Sequence, residues 1–293
     1  MKESKRYKIM CYVVLAVVSI ILVYPFFNMV MLAFMSEKEL SSIPLPQIPA
    51  SFSLDNFKHI LDAFGYYGEN GEHSYVWTFL LNTVFVLVMR IIVVVLSCTL
   101  CAFGFSKIKF PGRNVAFAIV MATVMIPSAV TMIPLFTEYR DFGWLDTLKP
   151  LWIPAAFGGG AMNIFLMRQY MRTLPDTLTE AAKMDGAGYF RIYWNIILPN
   201  CKPMMFFILI SAVNSVWGDY FTPYLYINSK EKWTVPLAVA NMAQSGMSYD
   251  GASMGSKGVQ MAVCVVVCIV PLITFMLGQK NYVENVTLSG VKG

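Results

Sequence analysis

At 293 residues, 57% of them hydrophobic and only 13% charged, this chain departs from the composition of a soluble domain, in which about a quarter of residues are charged. Its apolar residues gather into blocks near bilayer length. Lipid offers the backbone no hydrogen bonds, so each block must be helical, and the roughly ten-residue alternation of a membrane β-barrel is missing. The net charge of +5 does not indicate nucleic acid, because the basic residues form short clusters beside apolar blocks rather than one continuous patch.

In chain order, a basic flank from Lys2 to Lys8 precedes an apolar stretch, residues 9–35. That stretch is too long for a signal-peptide core and closes on no small-residue cleavage site, so it reads as a retained first span. A polar, Pro/Ser-rich loop follows, with one short helix expected near Leu54 to Phe64. The second span is expected over 74–105, longer than a bilayer requires. The third covers 115–136 and contains Pro127, and the fourth covers 151–167 and includes Gly158-Gly159-Gly160. The fifth runs over 204–226, and the sixth over 259–277 with Pro271 inside it. Pro127 and Pro271 fit either ordinary membrane-helix usage or kinks that line a path. The glycine run fits either close helix contact or a weak helical stretch.

Charge tests this topology. The segments expected inside carry fourteen Lys or Arg and five acids, whereas those outside carry seven and eleven. The bias puts both termini in the cytoplasm. The fold expected is therefore an all-α integral membrane protein with six transmembrane helices, one transmembrane domain over residues 1–293. The six cysteines lie mostly within apolar runs and read as small packing residues, the Cys98–Cys101 spacing included. His59 and His73 have no metal-ligand cluster around them, so no metal site is expected. Within the spans, Asn82, Arg90, Asn214, Trp217, Asp219 and Tyr220 are the polar or amphipathic side chains expected to face protein or a water-filled path. Arg90 reads as a pairing partner across the bundle or as a pathway residue. Trp217 and Tyr220 read as interface aromatics or as sugar-stacking rings.

The most informative segment is the inside loop over 173–203, TLPDTLTEAAKMDGAGYFRIYWNIILPNCKP. Thr173 is a potential cap, Pro175 is tolerated in a first turn, and Leu174, Leu178, Ala181 and Ala182 share one face at helical spacing. Gly186 and Gly188 provide a break. A second helix is expected over Phe190 to Ile197, with Pro199 ending it. Such a helix–turn–helix serves either as an interfacial connector or as a docking element for a soluble partner, with Glu180, Lys183 and Asp185 setting register.

The order Glu180, Ala181, Ala182, then Asp185-Gly186, then Ile196, Leu198 and Pro199 resembles the EAA loop of bacterial ABC importer permeases. FLLNTVFV, FSKIKFPGR, IFLMRQYM and the terminal YVENVTLSGVKG are similar to the smaller, six-span permease subunit of the maltose-type, carbohydrate-uptake branch. Ser289 stands where an alanine is commoner, and PFFNMVMLAF in span 1 departs more from the pattern. The resemblance implies the type I importer permease fold and a coupling loop that seats on a cytoplasmic ATPase. It also implies a permease subunit forming half of the pathway for a mono- or oligosaccharide. Its partners would be a homologous second permease, two ABC ATPase subunits and an extracytoplasmic solute-binding protein. The chain has no phosphate-binding G-x-x-x-x-G-K-[ST] sequence, so it is expected to be no enzyme and to bind no cofactor, with ATP and Mg held by the partner ATPase. The loop alone also permits a non-sugar solute, and a membrane receptor or scaffold is the remaining class.

Overall fold

Helix dominates because the apolar blocks hold few breakers, and at some of those breakers the helices stop. The computed structural model describes residues 5–63, 65–68, 71–245 and 257–290. Among the described residues nine longer helices run in order: α1 (Lys5–Ala33), α2 (Val76–Lys107), α3 (Arg113–Ala122), α4 (Ser128–Asp141), α5 (Ala161–Thr173), α6 (Asp176–Met184), α7 (Lys202–Gly218), α8 (Val235–Ser245) and α9 (Lys257–Gly290). Short helical turns join several of them.

Among the described residues, four helical stretches are long and apolar enough to cross a bilayer: Lys8–Ala33, Val76–Lys107, Lys149–Thr173 and Lys257–Gly278. Two further pairs are bent, Arg113–Met125 with Ser128–Asp141 by 97° and Tyr189–Asn200 with Lys202–Gly218 by 77°. They raise the number to as many as six if each pair is one span. This is a multi-pass helical membrane protein.

Several boundaries differ from those read in the sequence. The stretch 115–136 is not one rod. Proline disfavours helical angles in the residue before it and lacks an N–H, and Ile126 accordingly has ψ 115° and Pro127 ψ 134°. The glycine run is not helical either: Gly158, Gly159 and Gly160 all have positive φ, at 96°, 67° and 94°. The expectation of close contact there does hold, because a Cβ on Gly159 would lie 2.9 Å from the Val94 carbonyl oxygen and 3.1 Å from the Cys98 Cβ. The stretch 204–226 divides after Gly218, with Asp219 extended at ψ 97° and a separate turn over Phe221–Tyr226. In the loop after α1, the expected helix is split into Asp55–Lys58 and Ile60–Ala63. A small antiparallel hairpin follows, β1 (Gly65–Gly68) with β2 (Gly71–Ser74), pairing Tyr66 with His73. An all-helical reading missed it, although the Asn70-Gly71 dipeptide is a hairpin signal.

The chain divides into two compact units, Met1–Val76 with Val239–Ile269 and Trp77–Ala238 with Val270–Gly293. In the first, the Asn56 amide donates to the carbonyls of Ala33 (2.9 Å) and Met35 (2.8 Å), satisfying acceptors that the end of α1 leaves open. Much of α1 is exposed on every face, Ile20 by 69% and Leu22 by 65%, as suits a helix surrounded by lipid or by other chains. In the second unit, Cys98, Ala102 and Phe103 of α2 pack with Met167 and Met171 of α5, Tyr193 and Ile197 of the following loop, and Ile208 of α7.

Gly159 joins a left-handed backbone to a tight approach, each unfavourable to any other residue. Gly159→Ala is expected to cost about 2 kcal/mol or more. A thermal unfolding scan in detergent should show a lowered midpoint, whereas Gly104→Ala, inside α2 where a Cβ meets nothing, should hold or raise it.

Candidate functional site

The loop after α5 is a compact helical hairpin. α5 ends at Thr173, whose hydroxyl donates to the Tyr170 carbonyl (2.8 Å), so Thr173 closes one helix and does not cap the next. Leu174 and Pro175 are extended, with ψ 133° and 134°, and α6 starts at Asp176. α6 ends in a Schellman closure. The Gly186 N–H donates to the Lys183 carbonyl (3.0 Å) and the Ala187 N–H to the Ala182 carbonyl (2.9 Å). Gly186 sits at φ +76°, the left-handed angle this closure needs. Gly188, at φ −69°, does not use its freedom. The return strand of the hairpin is helical over Tyr189–Ile192, a π turn over Tyr193–Ile197, and helical again over Leu198–Asn200. Pro199 therefore sits inside that last turn and does not end the helix before it.

The buried face of α6 is not the one read from spacing. Thr179 and Ala182 are buried, while Leu178 and Ala181 are exposed. Glu180, Asp185 and Gly186 also point outward, and Ile196 and Leu198 pack against the core with Pro199 exposed beside them. The outward surface includes large apolar groups that sequence reasoning did not single out: Met184 (88% exposed), Phe190 (72%) and Trp194 (51%). The rings of Phe190 and Trp194 stack at 6.3 Å, and the Lys183 ammonium lies 4.8 Å from the Tyr189 ring centre. The signal for them was the aromatic density of GYFRIYW.

A second feature is a cavity of about 720 Å³ in the Trp77–Ala238 unit. Arg90 and Asp219 both line it, with hydroxyls from Ser128, Thr131 and Ser215 and the rings of Tyr139 and Tyr226. Arg90 donates to the Leu151 carbonyl (3.3 Å), and the Asp219 carboxylate accepts from the Thr222 N–H (3.0 Å). The other four polar candidates are not part of its lining. Asn82 donates to the carbonyls of Glu231 (2.8 Å) and Trp233 (3.0 Å). Asn214 accepts from the Thr274 hydroxyl (3.3 Å), Trp217 is half-buried, and Tyr220 is exposed with its ring edge-on to Phe221.

Residues 95–285 match the family described as "Binding-protein-dependent transport system inner membrane component". The chain belongs to this family. It is 28% identical to the polygalacturonan/rhamnogalacturonan transport system permease protein YtcP of Bacillus subtilis (strain 168), over 99% of this chain and 100% of that one. It is also 28% identical to the galactooligosaccharides transport system permease protein GanQ of the same organism, over 96% of this chain and 94% of that one. Among solved structures it is similar to a chain of a bacterial ABC transporter involved in import of the acidic polysaccharide alginate. There the TM-score is 0.82 with 24% identity, over 96% of this chain and 99% of that one, a likeness of fold. As an ABC importer permease, the protein works with a solute-binding protein, a paired permease and ATPase subunits.

One side of the permease's cavity is held by an ionic clamp. Asp146, itself at φ +54°, donates its N–H to the carbonyl of the cavity-lining Tyr226 (2.8 Å). Its carboxylate accepts from the Lys232 ammonium (2.8 Å), the Ser229 hydroxyl (2.6 Å) and the N–H groups of Ser229 and Asn228. The hydrogen bond from Lys232, followed by those from Ser229, holds this carboxyl far below the usual carboxylate range. A depressed folded-state pKa stabilises fully above the unfolded value near 3.9 and is lost as pH falls through the folded one. Asp146→Asn should therefore lower the melting midpoint by a constant amount between about pH 5 and 8, and the gap to the unsubstituted protein should narrow below about pH 4. Melting curves of the two proteins across that range check it.

Proposed function

We propose that this permease is the smaller, six-span subunit of a maltose-type carbohydrate importer. Arg113–Met125 with Ser128–Asp141 counts as one span and α7 as another, both termini are cytoplasmic, and residues 1–293 form one transmembrane domain. The boundaries between the two compact units fall at the first residues of α2 and inside α8 and α9 rather than in linkers, which supports the single domain. The cargo is an oligo- or polysaccharide, as the names of full-length relatives suggest.

The observation that carries the mechanism is the loop over 173–203. Its backbone closes on itself, and it presents large apolar groups outward beside Glu180, Ala181, Asp185 and Gly186. A short helical hairpin that closes its own turn and exposes Met184 and Phe190 is built to be covered, and in this family the covering partner is an ATPase. In this reading Glu180 to Gly186 seat on the ATPase. Ala182, Ile196, Leu198 and Pro199 fix the return, and Arg90 with Asp219 lines this subunit's half of the sugar path.

Purification of the chain from its native membrane should bring with it a second permease and a soluble ATPase. Gly186→Val forces a β-branched residue into the left-handed region, at a cost of about 1–2 kcal/mol. Uptake of labelled oligosaccharide in reconstituted vesicles should fall by about fivefold or more, with binding-protein stimulation of ATP hydrolysis reduced alongside it. Uptake and stimulation both unchanged would remove Gly186 from the coupling role.

A further inference from the structure

The docking loop is joined by covalent bonds to α5 and α7, yet each continuous route away from it is broken. Leu174 and Pro175 are extended, and a 77° bend separates Tyr189–Asn200 from α7. Further along, α5 starts only after the three positive-φ glycines, and α7 stops at Gly218. α2 has no such break. It is one helix of 32 residues, and both arms of the loop are fastened to it.

On the outgoing arm, Lys107, the last residue of α2, places its ammonium 2.7 Å from the Leu174 carbonyl and 2.7 Å from the Asp176 carboxylate. The Lys107 side chain is only 2% exposed, so its charge is committed to these partners. On the returning arm, the hydroxyls of Thr99 and Tyr193 share a buried hydrogen bond of 2.8 Å, and the Tyr193 ring lies 5.4 Å from that of Phe103. Seventeen residues before Lys107, about 25 Å along a helix at ~1.5 Å per residue, the same α2 presents Arg90 to the cavity. Two turns beyond that, Asn82 holds the carbonyls of Glu231 and Trp233.

Resting on the docking reading above, we propose that α2 is the rigid strut of this subunit. Lys107 and the Thr99–Tyr193 pair are positioning residues that clamp the docking loop to it, so that loop, Arg90 and the 231–233 segment move as one body. The walls that move against this strut are those behind the breaks, α4 beyond Pro127 above all. Nucleotide-driven motion then reshapes the cavity because one wall travels with the ATPase and another does not.

The test uses the assembled complex in lipid, with spin labels introduced as a genetically encoded amino acid at exposed Thr177 (loop), Leu81 (far end of α2) and Ile133 (α4). Distances are measured before and after a non-hydrolysable ATP analogue with magnesium. The 177–81 distance is expected to stay fixed while 177–133 shifts. In the Lys107→Met, Thr99→Val double variant the 177–81 distance should also become nucleotide-dependent, and restoring a cation with Lys107→Arg on the Thr99→Val background should reduce that response. A 177–81 shift as large as the 177–133 shift in the unsubstituted complex overturns the strut, and that measurement decides the matter even if the double variant fails to assemble. A nucleotide response confined to 177–81 also overturns it. No response in either pair overturns the docking reading itself, and the strut with it.

Discussion

Backbone inside a bilayer has to find its hydrogen bonds within the protein, so a span can be interrupted only where protein or a water-filled space receives the freed groups. That constraint organises the Trp77–Ala238 unit. Three of its interruptions fall at Pro127, at Gly158–Gly160 and at Gly218–Asp219. Ser128, Gly159, Gly160 and Asp219, the residues at those breaks, all line the one cavity of about 720 Å³. The cavity and the breaks thus account for each other. Loosened backbone supplies room and polar groups, and the space gives that backbone somewhere to be satisfied. The unbroken α2 alongside supplies the order that the broken helices forgo.

The sequence made the larger pattern legible because bilayer length is written directly into hydropathy. Four of the apolar blocks stand as long helices and the other two overlap bent pairs, one of which also takes in residues 189–200 of the loop, and Gly186 was readable because few residues other than glycine close a helix in the left-handed region. What it did not reveal was whether a breaker bends, splits or merely decorates a span. Pro127 splits its block, while Pro25 and Pro271 lie within continuous α1 and α9. The difference resides in what surrounds each proline, which periodicity does not encode.

The loop shows the same limit at finer scale. Spacing grouped Leu178 and Ala181 with Ala182 on one face of α6, whereas Thr179 and Ala182 are the buried pair, in a hairpin held by long-range partners, among them Lys107 and Tyr193. Neither stood out in the sequence, because a lysine at a span end and a tyrosine in an aromatic run are ordinary residues there. Of the polar span residues, Arg90 and Asp219 meet at the cavity, whereas Asn82 spends its amide on two carbonyls and Asn214 accepts from Thr274. All four occupy apolar helical surroundings or their ends, and only contacts distant in sequence separate the two pairs.

The Schellman closure of α6 has one more consequence. The helix is ended by main-chain bonds and a single glycine, not by side-chain caps, so the outward side chains at 180, 181, 184 and 185 take no part in holding the turn together. Recognition and folding are therefore written in different letters of the same short segment. On the docking reading proposed above, the outward surface can be exchanged to suit a different ATPase while the inward residues preserve the shape of the hairpin.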